Sequence, residues 1–147
     1  MSQKRDQCLK ILKENGFRLT RQRISFIDCL CAHDKPLTPK EITEAINSKD
    51  KDSKKTDMAS VYRFIEQLRN IKLVHEVHPA KGFYLCLHQN CGQRFHLLIH
   101  CTRCSTTEEK HVPDELTQPM LWYLRSQAYF EPEEHFLQIS GLCKLCR

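Results

Sequence analysis

The chain has 147 residues, nine of them cysteine, and a formal net charge of +5. That length can bury one core or two small ones joined by a hinge. With no apolar run near ~20 residues and no basic-then-apolar leader, neither a membrane span nor a secretory signal is predicted, so the protein is expected to be cytoplasmic.

In such a chain, an odd number of cysteines grouped as Cys-x-x-Cys points to metal rather than disulfides. Residues 1–74 carry sixteen Lys and Arg against ten Asp and Glu. Residues 75–147 carry seven against eight, with six cysteines and seven of the eight histidines. A basic half joined to a ligand-rich half suggests one module for a polyanion and one for metal.

In chain order, residues 3–15 place Cys8, Ile11 and Leu12 on one helical face and stop at Gly16. Thr20 is an N-cap candidate for a second helix running to Ala32, buried through Ile24, Ile27 and Leu30 or Cys31. Thr38, Pro39, Lys40 and Glu41 form a capping box for a third helix that buries Ile42, Ala45 and Ile46. The polar stretch 47–56 is expected to be a solvated loop. Asp57 is placed to cap a fourth helix, on which Val61, Phe64, Ile65 and Leu68 recur at i, i+3, i+4 and i+7.

The opposite face of that fourth helix carries Ser60, Tyr62, Arg63, Gln67 and Arg69. Arg63 suits a guanine edge or a phosphate, and Tyr62 a thymine methyl or a phosphate. Residues 73–77 and 83–85 are β-prone and flank a turn at 79–82, which reads as a hairpin. Helices followed by a two-stranded wing describe a winged helix-turn-helix. Beyond it, β-prone residues 95–99 and 135–139 bracket a helix expected over 114–128, where Leu121, Trp122 and Leu124 serve either an interface or the core. Cys8, Cys29 and Cys31 fall on apolar helix faces as buried thiols. His78 and His111 are expected at the surface, and His100 on the outer face of its strand.

Cys101 and Cys104 are two residues apart, as are Cys143 and Cys146. Each pair can grip one ion from a turn, and together they supply the four thiolates of a closed, structural zinc site. The remaining candidate ligands are His75, His78, Cys86, His88, Cys91, His96, His100, Glu108, Glu109, His111 and His135, more than one ion needs. Spacing selects among them only in that His75 and Cys86 lie on facing strands of the wing.

GFRLTRQR at 16–23, SVYRFIEQL at 60–68, and HCTRC followed much later by GLCKLC together resemble the ferric uptake regulator superfamily over nearly the whole chain. The resemblance implies that Tyr62 and Arg63 read DNA, with Ser60 on the same face, and that Arg18 reaches the flanking minor groove. VHEV at 74–77 and FYLC at 83–86 are most similar to the wing of the zinc uptake regulators. By that likeness His75, Cys86, His96 and Glu109 form a regulatory site, with Cys91 or His88 as substitutes for His96. The chain departs from the iron and peroxide branches at Pro36, ahead of the third helix. It also has His96 and Leu98 where a His-x-His is usual. A second exchangeable site looks incomplete at Phe95 and Leu97, with His135 as its remnant.

Two histidines, one cysteine and one glutamate make a four-coordinate, borderline-soft set whose thiolate and carboxylate neutralise a divalent ion, which favours zinc over ferrous iron. The expected fold is therefore α+β: a winged helix-turn-helix DNA-binding domain over 1–86, then a small α/β metal-binding dimerisation domain over 87–147. The expected protein is a zinc-responsive repressor that binds a pseudopalindromic DNA operator as a homodimer, with one structural and one regulatory zinc per chain. It is not expected to be an enzyme, to have an organic small-molecule substrate or to contact a membrane. Responses to iron, manganese, nickel or peroxide are the alternatives within the superfamily; a zinc-ribbon interaction module without DNA binding is the alternative outside it.

Overall fold

The structure, a computed structural model, describes residues 2–49, 55–86, 95–132 and 136–147. It divides into two compact units, Met1–Leu87 and His88–Arg147. The predictions that involve His88, Cys91 and His135 lie outside the described residues.

The first unit contains helices α1 (Ser2–Glu14), α2 (Arg21–Cys31), α3 (Pro39–Lys49) and α4 (Met58–Asn70), then strands β1 (Val74–Val77) and β2 (Gly82–Leu85). Local chemistry sets the helix starts. Thr20 caps α2 by accepting from the Arg23 N–H, and Asp57 caps α4 by accepting from the Ser60 N–H at 2.8 Å. At α3 the capping box closes in both directions: the Thr38 N–H donates to Glu41 Oε2 at 2.8 Å and the Glu41 N–H to Thr38 Oγ1 at 3.3 Å. The bonds from the Thr38 hydroxyl and N–H hold the Glu41 carboxyl below its usual range. The box is thus intact at neutral pH and lost as pH falls through that lowered value. Thr38→Ala is expected to cost about 1 kcal/mol, read as a lower urea midpoint with an unchanged m-value.

These starts orient the apolar stripes inward. Cys8 and Leu12 of α1, Phe26, Ile27 and Leu30 of α2, Ile42 and Ile46 of α3, and Val61, Phe64, Ile65 and Leu68 of α4 share one core with Leu73 and Leu85 of the wing. Cys29 and Cys31 are buried there too, as expected. Ile24 is only half-buried. Phe26 and Phe64 meet edge to face, with centroids 4.9 Å apart, which fastens α4 to α2.

Strands β1 and β2 pair antiparallel, with Val74 opposite Leu85 and Val77 opposite Gly82. A third stretch joins them, because Leu37 and Phe83 exchange backbone bonds of 3.1 and 2.8 Å. A Cβ on Gly82 would stand 2.9 Å from the Pro36 carbonyl carbon, so only glycine lets the wing approach this closely.

The second unit contains β3 (His96–Cys101), β4 (Thr107–His111), α5 (Asp114–Ser126) and β5 (Phe136–Gly141), with the sheet in the order β4-β3-β5. Strand β4 is antiparallel to β3, and β5 is parallel to it. α5 ends two residues earlier than the sequence suggests, and Pro119 lies inside it. Strand β4 is absent from the sequence-based expectation altogether. Leu98 and Cys101 are the buried apolar side chains among this unit's described residues. Its interior is otherwise polar: His96, His100, Thr107 and Thr117.

One expectation is corrected here. His100 does not occupy the outer face of its strand; it is buried, and its Nδ1 lies 3.0 Å from Thr107 Oγ1. Alternation along β3 puts His96, Leu98 and His100 on the inner face, while Ile99 points out. The Thr107 hydroxyl, directly opposite His100 in the β3–β4 register, satisfies the imidazole that the sequence left without a partner. His78 and His111 are exposed as expected.

Candidate metal centres and nucleic-acid face

The four cysteine sulfurs at positions 101, 104, 143 and 146 lie within 4.8 Å of one another. The fold brings them together because Cys101 ends β3 and the 143–146 turn follows β5, its parallel neighbour. Each pair is held by a tight turn. The Ser105 N–H bonds to the Cys101 carbonyl at 2.8 Å, with Ser105 in the left-handed region at φ 62, and the Cys146 N–H bonds to the Cys143 carbonyl at 3.0 Å.

A tetrahedral zinc with sulfur arms of about 2.3 Å needs sulfur–sulfur edges of about 3.8 Å. The Cys104 and Cys143 sulfurs are 3.8 Å apart, so these residues fit the ion. The turn amides also favour thiolate. Backbone N–H groups of Cys104 and Cys143 lower Cys101 to about 5, and the Thr106 hydroxyl lowers Cys104. The Cys143 thiol, followed by burial and the Cys104 and Cys101 sulfurs, pushes Cys146 up to about 12. Arg103 donates to the Cys146 carbonyl and ties one turn to the other; nothing in the spacing of the cysteines announces that contact.

The remaining predicted ligands form two pairs, one in each unit. In the first, His75 lies opposite Tyr84, while the Cys86 N–H bonds to the Leu73 carbonyl at 2.9 Å. His75 and Cys86 are therefore diagonal neighbours on one face of the wing, both buried, with donor atoms within 4.8 Å. In the second, His96 Nε2 lies 3.0 Å from Glu109 Oε1, with the histidine 1% and the glutamate 8% exposed. An imidazole and a carboxylate this deeply buried and this close together could supply two donors to a metal ion.

On the first unit, the outer face of α4 presents Tyr62, 52% exposed, and Arg63 to solvent. Arg18, just before α2, is also exposed. Arg18, Ser60 and Arg63 line a common cavity of about 350 Å³ with Arg23 and Gln67. The Ser60 hydroxyl donates to Asp57 Oδ2 at 2.9 Å, so it strengthens the helix cap as well as facing the cavity.

A winged helix-turn-helix unit with a cationic outer face on α4, followed by a small α/β unit carrying a four-cysteine cluster, defines a metal-binding transcription regulator. The chain belongs to the ferric uptake regulator family, whose model matches residues 14–140; its members are metal-dependent transcription repressors rather than enzymes.

Among its relatives, the ferric uptake regulation protein of Bacillus subtilis is 23% identical over 99% of this chain and 96% of its own length. The zinc uptake regulation protein of Escherichia coli is 21% identical over 95% and 79%. Among solved structures, a zinc uptake regulator complexed with zinc and DNA superposes with a TM-score of 0.77 at 21% identity, covering 97% of this chain and 91% of that one.

Proposed function

We propose that this protein is a zinc-responsive repressor that binds a pseudopalindromic operator as a homodimer, with zinc as corepressor, and controls genes of zinc uptake and homeostasis. The observation that carries the reading is the pair of buried half-sites, His75 with Cys86 and His96 with Glu109. Residues 1–86 are the DNA-binding domain and 87–147 the metal-binding dimerisation domain. One ion drawing a ligand pair from each would fix their mutual orientation, a population shift from an open to a DNA-competent dimer.

A second zinc on Cys101, Cys104, Cys143 and Cys146 is structural. The two sites thus give one structural and one regulatory ion per chain. The regulatory donors are chemically suited to zinc: the set is four-coordinate, contains one thiolate, and cancels the ion's charge. The similarity to a ferric uptake regulator keeps iron as the competing reading. A repression assay across zinc, iron, manganese and nickel separates them, and repression indifferent to zinc sinks the zinc assignment.

Dimerisation is supported by the apolar surface of the second unit, where Ile99 on the sheet and Trp122 and Tyr123 on α5 are exposed. Leu121 and Leu124 are half-buried beside them. An apolar surface of this kind marks an association site. No described helix is long and apolar enough to cross a membrane, and a DNA operator places the protein's work in the cytoplasm.

Arg63 and Tyr62 read base edges, Arg18 reaches the minor groove beside them, and Ser60 supports the same face. Arg63→Ala is expected to weaken operator binding about ten- to a hundredfold. The check is a gel shift at fixed salt, in which unchanged affinity removes α4 as the recognition helix.

A further inference from the structure

Arg23 is half-buried, unlike the exposed Arg18 and Arg63 that line the same cavity. Its guanidinium lies over the rings of Phe17 and Phe64, 5.1 and 5.4 Å from their centroids. One terminal nitrogen, Nη1, donates to the Arg18 carbonyl at 3.0 Å; the other, Nη2, donates to Gln67 Oε1 at 3.3 Å. Arg18 precedes α2, and Gln67 lies one turn beyond Arg63 on α4. One planar cation therefore bridges the two segments that carry the proposed DNA-reading arginines. Lysine could supply the charge but neither the fork nor the flat face.

We infer that Arg23 is a positioning residue for operator recognition: it holds Arg18 and the recognition helix at a fixed spacing without itself contacting DNA. This rests on the reading of the first unit as DNA-binding. Arg18 and Arg63 enter DNA from different backbone segments, so sequence discrimination depends on the distance between them. Attraction to phosphates, being non-directional, does not. Loosening the bridge should thus erode specific binding and leave non-specific binding intact.

The test uses the full-length, zinc-loaded protein and two DNA duplexes, one selected by the wild type from a randomised pool and a scrambled one of the same composition. Arg23→Lys is expected to bind the selected duplex about tenfold more weakly, with unchanged affinity for the scrambled duplex and an unchanged salt dependence. Gln67→Leu, which breaks one end of the bridge and leaves Arg23 in place, should shift the same ratio in the same direction.

Hydrogen exchange of the α4 amides, measured without DNA, should quicken in both variants. An equal loss on both duplexes, with a salt slope shallower by about one ion, would make Arg23 a phosphate contact and overturn the inference. So would unchanged affinity for the selected duplex, or unchanged exchange in α4. If the wild type selects no sequence at all, the DNA-binding reading fails instead, and the exchange measurement still decides whether Arg23 braces the helix.

Discussion

Cys86→Ser is expected to keep about one tightly bound zinc per chain and to lose metal-dependent operator binding. Serine is nearly isosteric, and Cys86 sits at the exit of β2 with its N–H bonded to Leu73, so the wing should fold as before. What changes is the donor. A thiol gives up its proton to zinc near neutral pH, whereas a hydroxyl does so reluctantly, and the thiolate is half of the charge that neutralises the ion. His75, His96 and Glu109 remain, but a three-donor site with one negative charge should bind far more weakly. The four-cysteine site keeps its ligands and its zinc.

Metal analysis after dialysis and operator titrations with and without added zinc decide the matter. In the wild type, operator DNA should raise zinc affinity by the same factor by which zinc raises operator affinity, and both factors should fall to one in the variant. Loss of all zinc with unfolding would mean that the structural and regulatory roles have been assigned to the wrong sites. Retained zinc-dependent binding would remove Cys86 from the sensor.

The helices of the first unit were legible because their information is local. Thr38 through Glu41 and Asp57 through Ser60 name their own caps, and Val61, Phe64, Ile65 and Leu68 name the buried face. The four-cysteine cluster was legible for a similar reason, since two Cys-x-x-Cys turns can only be completed by each other. Strand β4 was not. Its sequence, Thr107-Glu-Glu-Lys-His111, has no apolar alternation, because its inward residues Thr107 and Glu109 pack against His100 and His96 rather than against aliphatic side chains. A strand that buries polar groups on polar partners follows the usual period of two but carries no hydrophobic signal. The inward setting of His100 is hidden in the sequence for the same reason, as its partner Thr107 lies on that strand. The role of Arg23 is illegible for a different reason: nothing in its own segment specifies a bridge to Gln67, forty-four residues away.

Cys143→Ser, in contrast, is expected to release the structural zinc and unfold the second unit while the first keeps its helices. The two units differ in what holds them. The first has a continuous core running from Cys8 to Leu85. The second buries Leu98 and Cys101 as its apolar interior among the described residues, while Trp122, Tyr129 and Phe130 stay exposed within a single chain. A unit of this size with so little apolar burial needs a staple.

The four-cysteine cluster is placed to be that staple, because it joins the end of β3 to the turn after β5 and so closes the chain between Cys104 and Cys143. Structural zinc in small modules contributes on the order of 10 kcal/mol at neutral pH, more than the stability of a unit with so small a core. Losing one of four ligands should therefore abolish the fold rather than weaken it. The expected result is loss of zinc on dialysis, collapse of hydrogen-exchange protection across β3, β4 and β5, and retained protection in α1 to α4. Because Trp122 and its neighbours need a folded sheet unit to form a dimer surface, sedimentation should report monomer. A Cys143→Ser chain that stays dimeric and protected in its sheet would show that the second unit is stabilised by its apolar surface alone, and that the four sulfurs are dispensable to the fold.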